Sequence, residues 1–473
     1  MLFNSFEFLI FFTILFLLYI SLGHRWRNYL LLLGSYIFYG SWDWRFLSLL
    51  IISTGLDYFC GLKIDAESSD ARRKRYLVIS VCGNLLILGF FKYFNFFAEN
   101  LTELLSFFNL TIRPLYLDII LPVGISFYTF QTMSYSIDVY RREIKPTRNF
   151  LDFALFVSFF PQLVAGPIER AKHLLPQIMG ERSVTLQKFY DGAAFIFWGL
   201  FQKVYVADNL AALVDPIFES RSLSGVSYLI AGYAFMLQLY CDFAGYSNIA
   251  KGLGKIMGFD IMTNFNFPFF ACNVREFWKR WHISLTSWIR DYLYDPMVGN
   301  SKSKWRKGVC AVFAMSLIGL WHGPSWHFVL FGFYSGLGIV GYYAIRPWLA
   351  RLKSALPKYP RMLFGVATVF LYFQMLLVGF IFFRAQSVGD GFHILSRLLQ
   401  DLSLRSEDAS LVVNFFMFAM PLLLMELWQY RSGSVICYAK SRFWIRVPVY
   451  LVLFYLILLF GVSDAKAFIY FQF

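Results

Sequence analysis

The run NVREFWKRWHISLTSWIRDYLYDP (residues 273–296), the basic loop SKSKWRKG (301–308) and the span VCAVFAMSLIGLWHGPSWHFVLFG (309–332) decide how this chain reads. They hold three of only six histidines, His282, His322 and His327, two of them in strongly apolar surroundings. An ionisable side chain at membrane depth is expensive, so a histidine there points to function first. Gly323 and Pro324 must stop a helix just after His322, because proline lacks the backbone donor and its ring clashes with the preceding turn. Backbone polar groups freed at that depth are tolerated only inside protein or beside a watery cavity. Trp321, His322 and Gly323 therefore read as the lining of a polar cavity. His282, flanked by Trp278 and Trp281, stands among Arg275, Lys279, Arg280 and Arg290, enough positive charge to hold a phosphate-bearing group.

Working outward, the chain has 473 residues, 58% hydrophobic, 21% aromatic and 15% charged, whereas a soluble domain carries roughly a quarter charged residues. It reads as one all-α, polytopic membrane domain over residues 1–473, with a catalytic core at about 119–345. The net charge of +14, from 43 basic and 29 acidic residues, is assigned to Lys and Arg retained in cytoplasmic loops and not to nucleic acid. The six cysteines show no metal or redox spacing, and no metal is expected. Since about twenty apolar residues cross the hydrocarbon as a helix, spans are expected near 6–22, 28–40, 45–62, 76–98, 119–140, 189–214, 226–250, 308–321, 325–345, 361–383, 411–430 and 446–463. Basic connections alternate with mixed or acidic ones along these spans, which puts the amino terminus outside. The alternation holds only if 153–164 and 265–289 do not cross. Pro161, Gly166 and Pro167 in one, and Pro268 with the Arg-Lys cluster in the other, mark both as re-entrant or interfacial helices.

Phe277 to Ser284 (FWKRWHIS) and Leu320 to Gly323 (LWHG) place two histidines forty positions apart. Together with Phe159 to Ile168, Tyr240 to Ser247, Asn264 to Pro268 and Phe468 to Phe473, they make the chain similar to the membrane-bound O-acyltransferase superfamily, and most to its bacterial branch typified by the alginate O-acetyltransferase membrane subunit. The resemblance implies a ring of about 11–12 transmembrane helices with re-entrant helices around a central tunnel. It implies a multi-pass enzyme of the bacterial inner membrane with no bound cofactor. Such an enzyme moves an acyl group, here acetyl, from a cytoplasmic thioester donor, acetyl-CoA or an acyl-carrier protein. The acceptors are hydroxyls of an extracytoplasmic polysaccharide such as alginate or another cell-surface or cell-wall glycan. A separate extracytoplasmic acetyltransferase partner is implied as well. A D-alanyl or lipid O-acyltransferase of the same superfamily stays open, as does a non-catalytic transporter, although transporters usually carry internal repeats and none is visible.

The residue roles follow. His322 is assigned as general base, an imidazole being suited to proton transfer near neutral pH, and His282 as a catalytic or supporting partner. Asp242 either orients a histidine or bridges two helices through Arg or Tyr. Tyr246, Ser247 and Asn248 could donate to a carbonyl oxygen as charge develops on it. Trp281, Trp321 and His327 are read as supporting or tunnel-lining. Arg280, Arg290 and Lys279 are assigned to the donor's phosphates, which guanidinium forks suit.

Overall fold

The computed structural model describes residues 1–110, 113, 115–462 and 468–469, and every regular element among them is a helix. Of the carboxyl-terminal run 468–473, only Phe468 and Ile469 lie among the described residues. Seven of the described helical stretches are long and apolar enough to cross a membrane. One of them, Phe443–Phe460, leaves Leu451, Val452, Leu458 and Leu459 exposed on its surface. So wide an apolar face is matched by lipid and not by water.

The first long stretch, His24–Ala66, is two helices of 20 residues each, His24–Asp43 and Leu47–Ala66. Each is about 30 Å long at 1.5 Å per residue. They part at Asp43, whose backbone is extended and whose carboxylate accepts from the Arg45 N–H. The span expected at 119–140 is shorter than its apolar run. Gly124 adopts φ +76 and the helix begins only at Ile125, giving 16 residues to Tyr140. In the two segments expected not to cross, the chain breaks into Phe150–Ser158 and Phe160–Leu163, and into Val274–Arg280 and Ile283–Ile289. The first three have at most 9 residues, and the fourth runs on through Arg290–Tyr294 to Val298, so none reaches the roughly twenty residues a crossing helix needs.

The chain packs as two compact units, residues 1–193 with 250–262, and residues 194–249 with 263–473. Within the first, Asp57 of Leu47–Ala66 is buried among side chains from two other helices, Asp70–Leu88 and Ile125–Tyr140. It accepts from Ser80, from Ser136 at 2.8 Å and from the Asn84 amide at 2.7 Å. Every donor there is neutral, so hydroxyls and an amide satisfy the carboxyl group in place of a cation.

Glu169, wholly buried, accepts from the Met262 N–H at 2.6 Å and lies 2.8 Å from His173 Nδ1. The hydrogen bond to that carboxylate raises the His173 pKa above the ordinary 6.5. A folded pKa above the unfolded one gives stability that is complete below 6.5 and is lost as the pH rises through the raised value. The apparent melting temperature of the lipid-embedded protein should therefore fall as pH climbs past 6.5, and His173→Gln should flatten that slope. Equal slopes for the two proteins would refute the assignment.

Candidate functional site

The second unit builds the site. Asn273 caps Val274–Arg280 by accepting from the Glu276 N–H at 3.0 Å. Ser303 caps Lys304–His322 in the same way through Arg306. The latter helix ends at His322, Gly323 turns extended, and Trp326–Ala355 begins after Ser325. The break read from Gly323-Pro324 thus falls directly after the histidine. At Gly323 a Cβ would lie 2.3 Å from the Phe328 ring, so only glycine admits this close return.

His282 sits at the other kink. Its backbone is left-handed, at φ +43 and ψ 55, a region that side-chain-bearing residues occupy at about 1–3 kcal/mol of strain. What holds it there is Asn264. The Asn264 carbonyl accepts from the Ile283 N–H at 2.8 Å, and the Asn266 N–H donates to the Arg280 carbonyl at 2.9 Å. The Asn264 side-chain Oδ1 then meets the Ser284 N–H at 3.2 Å, Ser284 Oγ at 2.9 Å and His282 Nδ1 at 3.1 Å. Its amide nitrogen donates to Ser247 Oγ at 3.3 Å.

Both histidines are buried, His282 at 1% and His322 at 3% exposure. Trp321 stands against each of them: its ring centroid is 5.7 Å from that of His282 and 5.1 Å from that of His322. Phe383 lies 5.0 Å from the His322 ring. The rings facing His282 are Phe243 at 4.6 Å, Phe265 at 6.3 Å and Trp321. The expectation that Trp278 and Trp281 flank it is therefore corrected. The helix that carries Trp278 ends at Arg280, the backbone turns extended at Trp281 and left-handed at His282, and Trp281 stacks on Phe277 at 5.3 Å instead. Burial lowers the His282 pKa to about 3, so this imidazole is neutral.

Other predicted residues lie nearby with partners of their own. Asp242 does not orient a histidine, and it bridges helices through a lysine in place of Arg or Tyr. Its Oδ1 lies 2.7 Å from Lys203 Nζ and its Oδ2 accepts from the Ile469 N–H at 2.8 Å. Lys203 also pairs with Asp208 at 2.8 Å. Tyr246 packs on Phe468 at 5.3 Å, Asn248 donates to Gln202 at 2.7 Å, and His327 Nδ1 donates to the Phe382 carbonyl at 3.1 Å. Of the cations assigned to the donor, Arg280 is bound to Glu276 at 2.7 Å and to the Asn266 carbonyl at 3.2 Å, and lies over the Tyr430 ring. Arg290 pairs with Asp291 on an exposed face, and Lys279 is exposed.

Three residues at the site were missed as functional candidates. Asn264 was legible only as the first residue of the matched run Asn264 to Pro268, and Ser284 only as the end of FWKRWHIS. Lys203 carried a plainer signal, a lone cation in the apolar stretch FIFWGLFQKVYV. Replacing it in Lys203→Met removes the ammonium that pairs with both buried carboxylates, Asp208 and Asp242. Breaking a buried pair from one side costs about 3–5 kcal/mol, so the variant should unfold at markedly lower temperature or denaturant than the wild type. A melting curve that overlays the wild type would refute this.

A family model described as MBOAT, membrane-bound O-acyltransferase family, matches residues 139–383. The chain is 40% identical over 392 residues to a "Probable alginate O-acetylase AlgI" of Pseudomonas aeruginosa, covering 82% of this chain and 73% of that protein. It is 30% identical over 494 aligned positions to a "Peptidoglycan O-acetyltransferase" of Helicobacter pylori, covering 94% and 91%. To a "Teichoic acid D-alanyltransferase" of Streptococcus thermophilus it is 29% identical over 246 residues, covering 49% and 58%.

Proposed function

The chain belongs to the membrane-bound O-acyltransferase family, and from that premise we propose that it transfers acetyl groups from a cytoplasmic thioester to hydroxyls of an extracytoplasmic polysaccharide, such as alginate or a cell-wall glycan. The enzyme is a multi-pass membrane O-acyltransferase. The names of the two relatives matched over more than four-fifths of this chain support acetyl and polysaccharide over the D-alanyl alternative, whose relative aligns with about half of it. The bacterial inner membrane, an acetyl-CoA or acyl-carrier donor and a separate extracytoplasmic acetyltransferase are parts of the same proposal.

The single observation that carries the reading is two buried histidines, both within the residues the family model matches, ranged about Trp321. In the proposed reaction the acceptor oxygen attacks the thioester carbonyl carbon while His322 takes the hydroxyl proton. The tetrahedral intermediate then expels the thiolate, which receives that proton. The thioester already stores the driving force, so positioning and proton transfer supply the rate. His282, also against Trp321, supports the reaction. Lys279 and Arg290, with Arg280 shared between Glu276 and the donor, attract the donor's phosphates. A transporter without chemistry has no comparable support.

The test is incubation of the purified protein in lipid nanodiscs with acetyl-radiolabelled acetyl-CoA or acetyl-acyl-carrier protein and added glycan. Thioester loss with label appearing in the glycan is expected. Neither donor being consumed would overturn the reading.

A further inference from the structure

We infer that Asn264 is a positioning residue that holds the proton of His282 on Nδ1 and leaves Nε2 as the ring's bare lone pair. The inference deepens the acyltransferase reading and rests on it for its functional meaning, but its geometry stands alone. The orientation of an asparagine amide and the tautomer of a histidine are ordinarily assigned from their surroundings. Here a backbone group fixes both. The Ser284 N–H can only donate, so the Asn264 atom facing it at 3.2 Å is the oxygen. The same oxygen lies 3.1 Å from His282 Nδ1. An amide oxygen accepts and never donates, so Nδ1 carries the hydrogen. In a neutral imidazole the remaining nitrogen is then the acceptor.

Asn264, His282 and Ser284 are exposed by 2%, 1% and 0%, so no bulk water competes for these bonds. Among the described residues Nε2 of His282 has no hydrogen-bond partner. A buried acceptor left without a donor costs the desolvation of that atom. Together with the left-handed backbone at the same residue, this is a local arrangement less stable than the alternatives open to a histidine. The amide of Asn264 keeps it: the Ser247 and Ser284 hydroxyls occupy the rest of that side chain. The product is a neutral imidazole whose Nε2 is free to accept a hydrogen bond from an acceptor hydroxyl. An aspartate at 264 would preserve the acceptor, whereas a leucine of similar size would free the proton to move to Nε2.

The experiment is magic-angle-spinning NMR of protein labelled with 15N-histidine in lipid, with His282→Gln used to assign the His282 ring among six histidines. The wild type and Asn264→Asp should show protonated Nδ1 and bare Nε2, and Asn264→Leu should show the proton shifted toward Nε2. In acyl transfer, Asn264→Leu should lower kcat about tenfold or more, in line with the loss of an orienting second partner on a histidine. The donor KM should stay unchanged and Asn264→Asp should retain activity. The spectra need no substrate, so an error in the donor assignment would leave them intact and appear only as absent turnover. A wild-type His282 protonated on Nε2 would overturn the inference, as would a folded Asn264→Leu with the wild-type ring signature. If Asn264→Leu does not fold, the inference still fails should Asn264→Asp carry its proton on Nε2.

Discussion

His322→Ala is expected to lower acyl transfer by about 10³-fold, within the 10²–10⁴ range that a positioned general acid–base group contributes. The ring is 3% exposed and stands against Trp321 and Phe383, so bulk water has little access to act in its place. Truncation leaves a space the size of an imidazole, which affects packing as well as chemistry. His322→Gln, closer in volume, should therefore be equally inactive while melting near the wild-type temperature. His327→Gln is the contrasting case. Its Nδ1 is committed to the Phe382 carbonyl, a bond the glutamine amide can also donate, and turnover should remain within about tenfold, the scale of one hydrogen bond. Wild-type turnover in a folded His322→Gln would refute the base assignment. Equal losses at both positions would reassign the effect to packing around Gly323.

Comparison of the apolar runs with the helices shows where sequence alone suffices. The length of an apolar run sets a span because the bilayer sets the length, and the break after His322 was legible because Pro324 admits no other outcome. The late start at Ile125 was not, since a left-handed Gly124 ends the apolar run's helical part from outside the helix. At the site, the histidines were legible as ionisable groups in apolar surroundings. Their environment was not: Asn264 reaches His282 across 18 residues and Ser284 across 20, and no periodicity encodes such a meeting. Arg280 shows a different shortfall. A charge cluster suggested a phosphate cradle, yet Glu276 four residues earlier already had the spacing of a helical ion pair, and the two are joined. Asp242 needed a cation, and Lys203, 39 residues away, is a partner fixed only by tertiary structure.

Gly332→Ala should have the second large effect, although the residue touches no substrate in the proposed reaction. A Cβ there would lie 2.1 Å from the Met315 carbonyl oxygen, and one at Gly319 would lie 2.0 Å from the Phe328 carbonyl oxygen. Both obstacles are backbone, which no rotamer change relieves. Glycines on each helix let Lys304–His322 and Trp326–Ala355 approach closely, as small residues do where membrane helices pack. Alanine favours a helix by about 1 kcal/mol over glycine, so propensity alone predicts a gain. Overpacking costs about 1–3 kcal/mol, and a backbone obstacle belongs at the upper end, so the loss wins. The helices must separate, and the first of them ends in His322. A displacement near 1 Å can cost about 10²-fold in rate, so Gly332→Ala should be both less stable and about 10²-fold slower. Gly341, on the same helix as Gly332, has nothing within 4 Å of its Cβ position. Gly341→Ala should therefore melt at or slightly above the wild-type temperature with unchanged turnover. If both alanines behave alike, close approach of the two helices is not what sets His322 in place.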